Sequence, residues 1–187
     1  MGEDLNGLYA AAAADVDRLI AAVTPDQLAA STPCEGWDVR TLLNHIVGGN
    51  ALFLARATGA PGPSRDSDFV GDDALGAYRA SVAALTEAFA QDGFLAKPVT
   101  TPFGEGVGAV LVSMRINEYL MHGWDLAVAT GQRREFDAGV VAFAERVLRG
   151  ADVPRGDGRM FKEEQPAPEG AGAVDALAAY MGRRVPG

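Results

Sequence analysis

The sequence predicts an all-α protein: a four-helix bundle with a long crossover, a short loop or β-hairpin before the fourth helix, and additional C-terminal helices. Three observations lead to this prediction. Apolar residues recur every three or four positions in several segments, which is the period of an amphipathic helix. Strand-like alternation is scarce, and glycine and proline cluster between the periodic segments. Helices of this kind bury their apolar faces against one another, so we expect a bundle.

The periodic segments follow one another with short breaks, and the breaks contain residues typical of helix ends. Helices are predicted at about residues 3–23, from residue 38 to about 54, and at about 75–89, 107–130, 137–149 and 174–181. Thr24 and Pro25 predict a short helical turn after the first helix, and Asp38 is a good N-cap for the second. Gly131 and Gly150 are suitably placed to end the fourth and fifth helices.

The segments between the helices are rich in glycine and proline. Residues 59–72 are interpreted as a surface crossover, residues 97–108 as a loop or short β-hairpin, and residues 150–172 as irregular chain. Gly48 and Gly49 lie inside the second helix, where each costs about 1 kcal/mol relative to alanine. We therefore expect another element to pack closely against the second helix at these two positions.

Composition and charge narrow the class of partner. Hydrophobic residues make up 48% and charged residues 22% of the chain, and we expect residues 1–187 to form one domain. The net charge of −9 argues against nucleic acid, and we find no signal peptide and no apolar stretch of membrane-spanning length. The single cysteine, Cys34, excludes an internal disulfide. These features predict a cytoplasmic protein with a small-molecule partner, without nucleic acid and without a membrane.

The fourth helix carries charged residues where apolar ones are expected. The face predicted to point into the core contains these apolar residues: Val107, Leu111, Met114, Met121 and Val128. Glu118, His122 and Asp125 fall on the same face. Burying an isolated carboxylate is costly, so it needs a partner that offsets its desolvation. Residues four apart on a helix lie side by side, and Glu118 and His122 are therefore placed to bind one ion together.

A third ligand must come from another helix, and His45 is the only other histidine in the chain. It lies at the edge of the apolar stripe of the second helix, where its ring could face the bundle interior. Two imidazoles and one carboxylate form a common catalytic zinc set, and the same ligands suit nickel or ferrous iron. The alternatives are a simple Glu–His pair and a buried hydrogen-bond network without metal.

Five other residues are candidates for the surroundings of this site. Asp125 could accept the free imidazole N–H of His122, or it could bond a backbone amide or a tryptophan N–H. Arg115 could clamp an anionic substrate, although a surface or rim ion pair is the favoured interpretation. These two are the candidate catalytic residues. Trp37 and Trp124 are predicted to pack near the pocket, and Cys34 is predicted to be a small buried residue rather than a reactive thiol.

These residues carry a resemblance to a known family. Thr32–His45 (TPCEGWDVRTLLNH) and Asn117–Ala127 (NEYLMHGWDLA) resemble the metal-binding domain of mycothiol-dependent maleylpyruvate isomerases, within the DinB-like superfamily of four-helix metalloproteins. The segments Met160–Pro168 and Val174–Arg183 are similar to the ending of a short, single-domain branch of that group. The resemblance covers nearly the whole chain.

The resemblance implies a DinB-like fold and a divalent cation, usually zinc, held by His45, Glu118 and His122. It also implies a mycothiol-type thiol cofactor and a homodimer. The isomerases have an additional C-terminal domain, and we expect its absence here to rule against maleylpyruvate isomerisation itself. Three functions stay open: a thiol S-transferase or thiol-assisted isomerase acting on an electrophile, a metal or small-ligand binding module without catalysis, and a purely structural bundle.

Overall fold

The computed structural model describes residues 3–64, 66–101, 103–151, 155–156 and 162–186. Within these ranges the α-helices are α1 (Leu5–Ala21), α2 (Val39–Thr58), α3 (Ala74–Phe89), α4 (Gly108–Thr130), α5 (Ala138–Gly150) and α6 (Ala173–Tyr180). Strands β1 (Pro98–Thr101) and β2 (Gly104–Val107) form an antiparallel hairpin directly before α4. The predicted all-α class, with a hairpin before the fourth helix and further C-terminal helices, is confirmed.

Helices α1 to α4 form the bundle. Helix α1 packs against α4 and α3, and α2 packs against α3 and α4. Helices α5 and α6 pack against α4 and against each other. The core between the four bundle helices includes fully buried Leu19, Leu42, Leu85 and Ile116. This is a DinB-like fold. No helix among the described residues has the length and apolar character that a membrane crossing requires.

Aspartate side chains fix the starts of several helices. Asp38 accepts a hydrogen bond from the backbone N–H of Thr41 at 2.8 Å, which confirms it as the N-cap of α2. The predicted turn after α1 is a short 3-10 helix at Pro25–Gln27, where the Gln27 side chain accepts from the backbone N–H of Thr24 at 3.0 Å. Since α2 begins one residue after Asp38, this cap also fixes the loop that carries Cys34.

The two glycines in α2 mark close contacts, as predicted. A Cβ atom built on Gly49 would lie 2.7 Å from Nη1 of Arg115, and one built on Gly48 would lie 2.6 Å from the ring of Phe69. A side chain at Gly49 would therefore collide with the Arg115 guanidinium. Because Gly49 has no side chain, the guanidinium of Arg115, on α4, can pack directly against α2.

The predicted orientation of α4 is partly wrong. Val107 is 39% exposed, and Met114, Glu118, His122 and Val128 are only half-buried. The deeply buried side of α4 instead includes these residues: Val112, Arg115, Ile116, Tyr119 and Leu120. Helix α4 contacts α1, α2, α5, α6 and the hairpin, so most of its circumference is apolar. Apolar periodicity alone could not locate the centre of such a broad face.

Two smaller predictions also change. Gly150 is the last residue of α5, and the extended backbone of Ala151 ends that helix. In contrast, Gly131 ends α4 with a left-handed conformation at φ 67°, as predicted. Met160 and Phe161, which open the first tail segment of the family resemblance, lie outside the described residues.

Candidate metal centre

The fold brings the chain's two histidines together. His45 projects from α2 and His122 from α4, and their ring centroids are 4.7 Å apart with the planes at 75°. Trp37, from the loop before α2, covers the pair: its ring lies 4.7 Å from that of His45 and 6.1 Å from that of His122. Trp37 therefore packs beside the site as predicted, whereas Trp124 is fully buried in the core and donates to Asp175.

His45 is held neutral. Burial lowers the pKa of His45 to about 4, and the neighbouring His122 adds to this effect. No side chain or backbone group among the described residues hydrogen-bonds the His45 ring. A neutral imidazole keeps a lone pair on one nitrogen, which is the form that binds a metal ion.

The ring of His122 is oriented by Asp125. Nδ1 of His122 lies 3.1 Å from Oδ2 of Asp125, whose side chain is 0% exposed. Burial acts to raise the pKa of Asp125, but the guanidinium of Arg183 and the hydrogen bond to His122 outweigh it and hold that pKa below its usual value. An ionised carboxylate can only accept. His122 therefore donates from Nδ1, and Nε2 is the ring nitrogen left for a metal ion.

Arg183 comes from the C-terminal segment after α6. Its Nε donates to Oδ1 of Asp125 at 3.1 Å, and its Nη2 donates to Oδ2 at 2.9 Å. This bidentate pair neutralises Asp125 inside the protein. The sequence interpretation missed Arg183, and the available signal was Asp125 itself, because a buried carboxylate requires a cation.

Cys34 completes the group around Asp125. Its Sγ lies 3.2 Å from Oδ2 of Asp125 and 4.0 Å from Nδ1 of His122. Burial, followed by the negative charge of Asp125, raises the pKa of the Cys34 thiol to about 12. The thiol is therefore protonated at neutral pH and donates to Asp125. Cys34 is half-buried and not fully buried as predicted, and its low reactivity stays a prediction.

Arg115 is a buried residue and not a rim residue. Its side chain is 1% exposed, and its guanidinium donates to Oδ1 of Asn50 at 2.8 Å, to the Ile46 carbonyl at 2.7 Å and to Oε2 of Glu118 at 2.6 Å. It also lies 4.1 Å from the ring centre of Tyr119. The favoured ion pair exists, but the surface or rim location was wrong, because the small Gly49 lets the guanidinium enter the α2–α4 interface.

The structure does not bring the three predicted ligands equally close together. The structure pairs His45 with His122, whereas Glu118 is turned toward Arg115 and its side chain is 34% exposed. Among the described residues, Cys34, His122 and Asp125 are the three whose ligand-type atoms all lie within 4.8 Å of one another. The predicted trio does not form such a tight group.

A cleft of about 560 Å³ lies beside Arg183. Its lining includes Thr32, Lys162, Gln165, Arg183 and Arg184. No described residue of the β1–β2 hairpin lines this cleft. The cleft is formed instead by the loop before α2, the end of α4 and the C-terminal segment.

The fold and this cluster together define an all-α, DinB-like bundle protein with a histidine pair between its second and fourth helices. The chain belongs to the family described as the mycothiol maleylpyruvate isomerase N-terminal domain, which matches residues 9–127. The matched region contains His45, Glu118, His122 and Asp125, and it ends before α5, α6 and Arg183.

Two relatives are proteins of Mycobacterium tuberculosis. They are named "Uncharacterized protein MT0763", from strain CDC 1551 / Oshkosh, and "Uncharacterized protein Rv0738", from strain ATCC 25618 / H37Rv. Each is 37% identical over 172 residues, which is 89% of this chain and 91% of the relative. No solved structure matches the chain significantly.

Proposed function

We propose that the chain binds one divalent cation through His45, Glu118 and His122 and serves the chemistry of a low-molecular-weight thiol. The observation that carries this proposal is the facing pair of imidazoles, 4.7 Å apart, of which His45 is half-buried, neutral and not hydrogen-bonded by any described residue. Zinc suits this set best, and nickel or ferrous iron could use the same donors.

The donor chemistry fits such an ion. Asp125 leaves the Nε2 lone pair of His122 free. Arg115 occupies Oε2 of Glu118, while Oε1 accepts no hydrogen bond from the described residues. Each predicted ligand therefore keeps one donor atom that is not committed to a described protein partner.

The tighter group of Cys34, His122 and Asp125 is the weaker candidate. Both oxygens of Asp125 already accept from Arg183, and Oδ2 also accepts from Cys34 and His122. Its negative charge is balanced by Arg183, and the Cys34 thiol is protonated. This group satisfies its own charges and hydrogen bonds, so it does not need an ion.

A bound ion would act as a Lewis acid that lowers the pKa of a coordinated thiol, such as that of a mycothiol-type cofactor. The protein's own residues prepare the site: Asp125 orients His122, Arg115 holds Glu118, and Trp37 shields both rings from water. We propose that Arg115 and Asp125, the candidate catalytic residues, position ligands and do not act on substrate, because their polar atoms are engaged within the protein. The reaction class would be thiol S-transfer to an electrophile or a thiol-assisted isomerisation.

Elemental analysis of the purified protein tests the metal. We expect one zinc, nickel or iron per chain in the parent and in the Cys34→Ala variant, and loss of the ion in His45→Ala and in His122→Ala. Full occupancy in the His45 variant together with loss in the Cys34 variant would instead assign the ion to the group of Cys34, His122 and Asp125. A metal-free parent that gains no thermal stability from any of the three ions would refute the site.

A binding module without catalysis is the second candidate. It is favoured by the engagement of Arg115 and Asp125 within the protein, which leaves no evident general base among the described residues of the site. Turnover of electrophiles with mycothiol by the metal-loaded protein separates the two functions. Uniform inactivity with confirmed metal would favour the module.

We also propose a cytoplasmic location, which the single unpaired Cys34 supports, and a single domain over residues 1–187. Small molecules, a thiol or an electrophile, are the proposed partners. A homodimer is an expectation from the family alone, and sedimentation velocity would test it.

A further inference from the structure

We propose that Arg183 is a positioning residue for the metal ligand His122 and acts through Asp125. This inference rests on the proposed function, because it assigns His122 to the ion. Arg183 lies outside the region that matches the family, so the C-terminal segment would supply a part of the site that the matched domain lacks.

The first step is the chain of contacts that runs from Arg183 through Asp125 to His122. Arg183 contacts both oxygens of Asp125, at 3.1 and 2.9 Å, and Oδ2 of Asp125 lies 3.1 Å from Nδ1 of His122. The fork of the guanidinium matches both carboxylate oxygens and fixes the plane of that carboxylate. The carboxylate in turn fixes which nitrogen of His122 carries the proton, so Nε2 is the free one.

The second step is the rigidity of the segment that carries Arg183. Helix α6 is anchored to the bundle by Asp175, which accepts from Nε1 of Trp124 at 2.7 Å and from Arg134 at 2.8 and 3.0 Å. Leu177 is fully buried in the core. The backbone N–H of Arg183 donates to the carbonyl of Ala178, a residue of α6, at 2.9 Å. This hydrogen bond attaches the backbone of Arg183 to the end of that helix. The Arg183 side chain therefore starts from a fixed backbone.

The third step is charge. Asp125 is 0% exposed, and its other hydrogen-bond partners are Cys34 and His122. Without Arg183, no described guanidinium would hold the plane of this buried carboxylate against the His122 ring. The orientation and tautomer of His122 would no longer be fixed.

Arg134 provides a matched control. Like Arg183, it makes a bidentate contact with an aspartate that joins the C-terminal part of the chain to the rest of the protein. Its partner is Asp175, for which no hydrogen bond with His122 is found among the described residues. Arg134→Gln therefore loosens the attachment of the C-terminal segment without removing the cation from Asp125. A purely structural role of Arg183 predicts equal effects of the two substitutions.

Zinc affinity, measured by competition with a chromophoric chelator, is the first readout. We expect Arg183→Gln to weaken zinc binding roughly 10–100-fold, the range typical for partners that orient a metal-bound histidine. Arg183→Lys should recover part of the loss, and Arg134→Gln should stay within about threefold of the parent. In an Asp125→Asn background, Arg183→Gln should cause little further loss. Equal losses in the Arg183 and Arg134 variants, or an additive loss in the Asp125→Asn background, would overturn the proposal.

The second readout needs no metal. The chain has two histidines, so nitrogen-15 spectra of the imidazoles of the metal-free protein contain two rings, and His45→Gln assigns them. We expect His122 to be protonated at Nδ1 in the parent and in Arg134→Gln, and to populate both tautomers in Arg183→Gln. An unchanged His122 spectrum in Arg183→Gln would refute the role of Arg183. A parent that binds no zinc would refute the proposed function, and the tautomer comparison would still decide the role of Arg183.

Discussion

Replacing Arg115 by methionine should destabilise the metal-free protein by about 3–5 kcal/mol, the usual cost of removing one partner from a buried charged network. Arg115 makes two hydrogen bonds with buried neutral acceptors, Oδ1 of Asn50 and the carbonyl of Ile46. Hydrogen bonds from a charged donor contribute about 1.5–3 kcal/mol each. The contact with Glu118 adds little, because that side chain is 34% exposed and screened by solvent.

Methionine matches the aliphatic stem of arginine but lacks the guanidinium, so the expected value includes a small cavity contribution. Oδ1 of Asn50 keeps its hydrogen bond from Tyr119 at 2.6 Å, which limits the penalty at that atom. The carbonyl of Ile46 lies within α2 and keeps its helical hydrogen bond. For these reasons we expect the loss of unfolding free energy to fall in the lower half of the range of about 3–5 kcal/mol.

Urea denaturation followed by circular dichroism measures the change in unfolding free energy. The control is Arg79→Met, because Arg79 makes a bidentate contact with Asp17 at 2.7 and 2.9 Å but is 58% exposed. We expect that variant to lose much less stability than Arg115→Met, because solvent screens an exposed ion pair. Equal losses in the two variants would refute the reasoning, since they would show that burial of Arg115 has no energetic consequence.

Three further predictions follow from single contacts. Gly49→Ala should lower the unfolding free energy by about 1–3 kcal/mol, the usual range for overpacking, because its Cβ would lie 2.7 Å from Nη1 of Arg115. Urea titration measures this loss. The control is Gly62→Ala, whose Cβ would meet only Leu52, at 3.5 Å. Cys34 should react with iodoacetamide at pH 8 roughly a hundredfold more slowly in the folded than in the unfolded protein, because its thiolate is rare below a pKa of about 12; equal rates would contradict that pKa. Zinc at a hundred times its dissociation constant should stabilise the parent by about 2.7 kcal/mol, seen as a higher Tm, but should not stabilise His122→Ala.

The fold was largely predictable because its signals are local. Asp38 as a helix cap and Gly131 as a helix end depend on a few neighbouring residues, and the structure confirms both. The close approach at Gly49 was predictable because glycine inside a helix needs a reason. The centre of the α4 face was not predictable, since a helix in contact with neighbours on most sides has no single apolar stripe.

The site was predictable in part. The histidine pair follows from the count of two histidines and from the positions of His45 and His122 on bundle helices. The role of Asp125 as hydrogen-bond partner of His122 was one of two open alternatives, and the geometry supports it. Arg183 was not predictable, because it contacts Asp125 across 58 positions of chain, and no periodic pattern links residues so far apart.

The reason for expecting a metal changes once the structure is known. The sequence argument was that buried carboxylates on α4 need a cation, and the structure supplies guanidinium groups: Arg183 pairs with Asp125, and Arg115 pairs with Glu118. Charge balance therefore no longer requires an ion. The case now depends on His45 and His122, because their imidazole rings face each other beside Trp37, and no described residue hydrogen-bonds the ring of His45. A divalent cation would give both rings a partner.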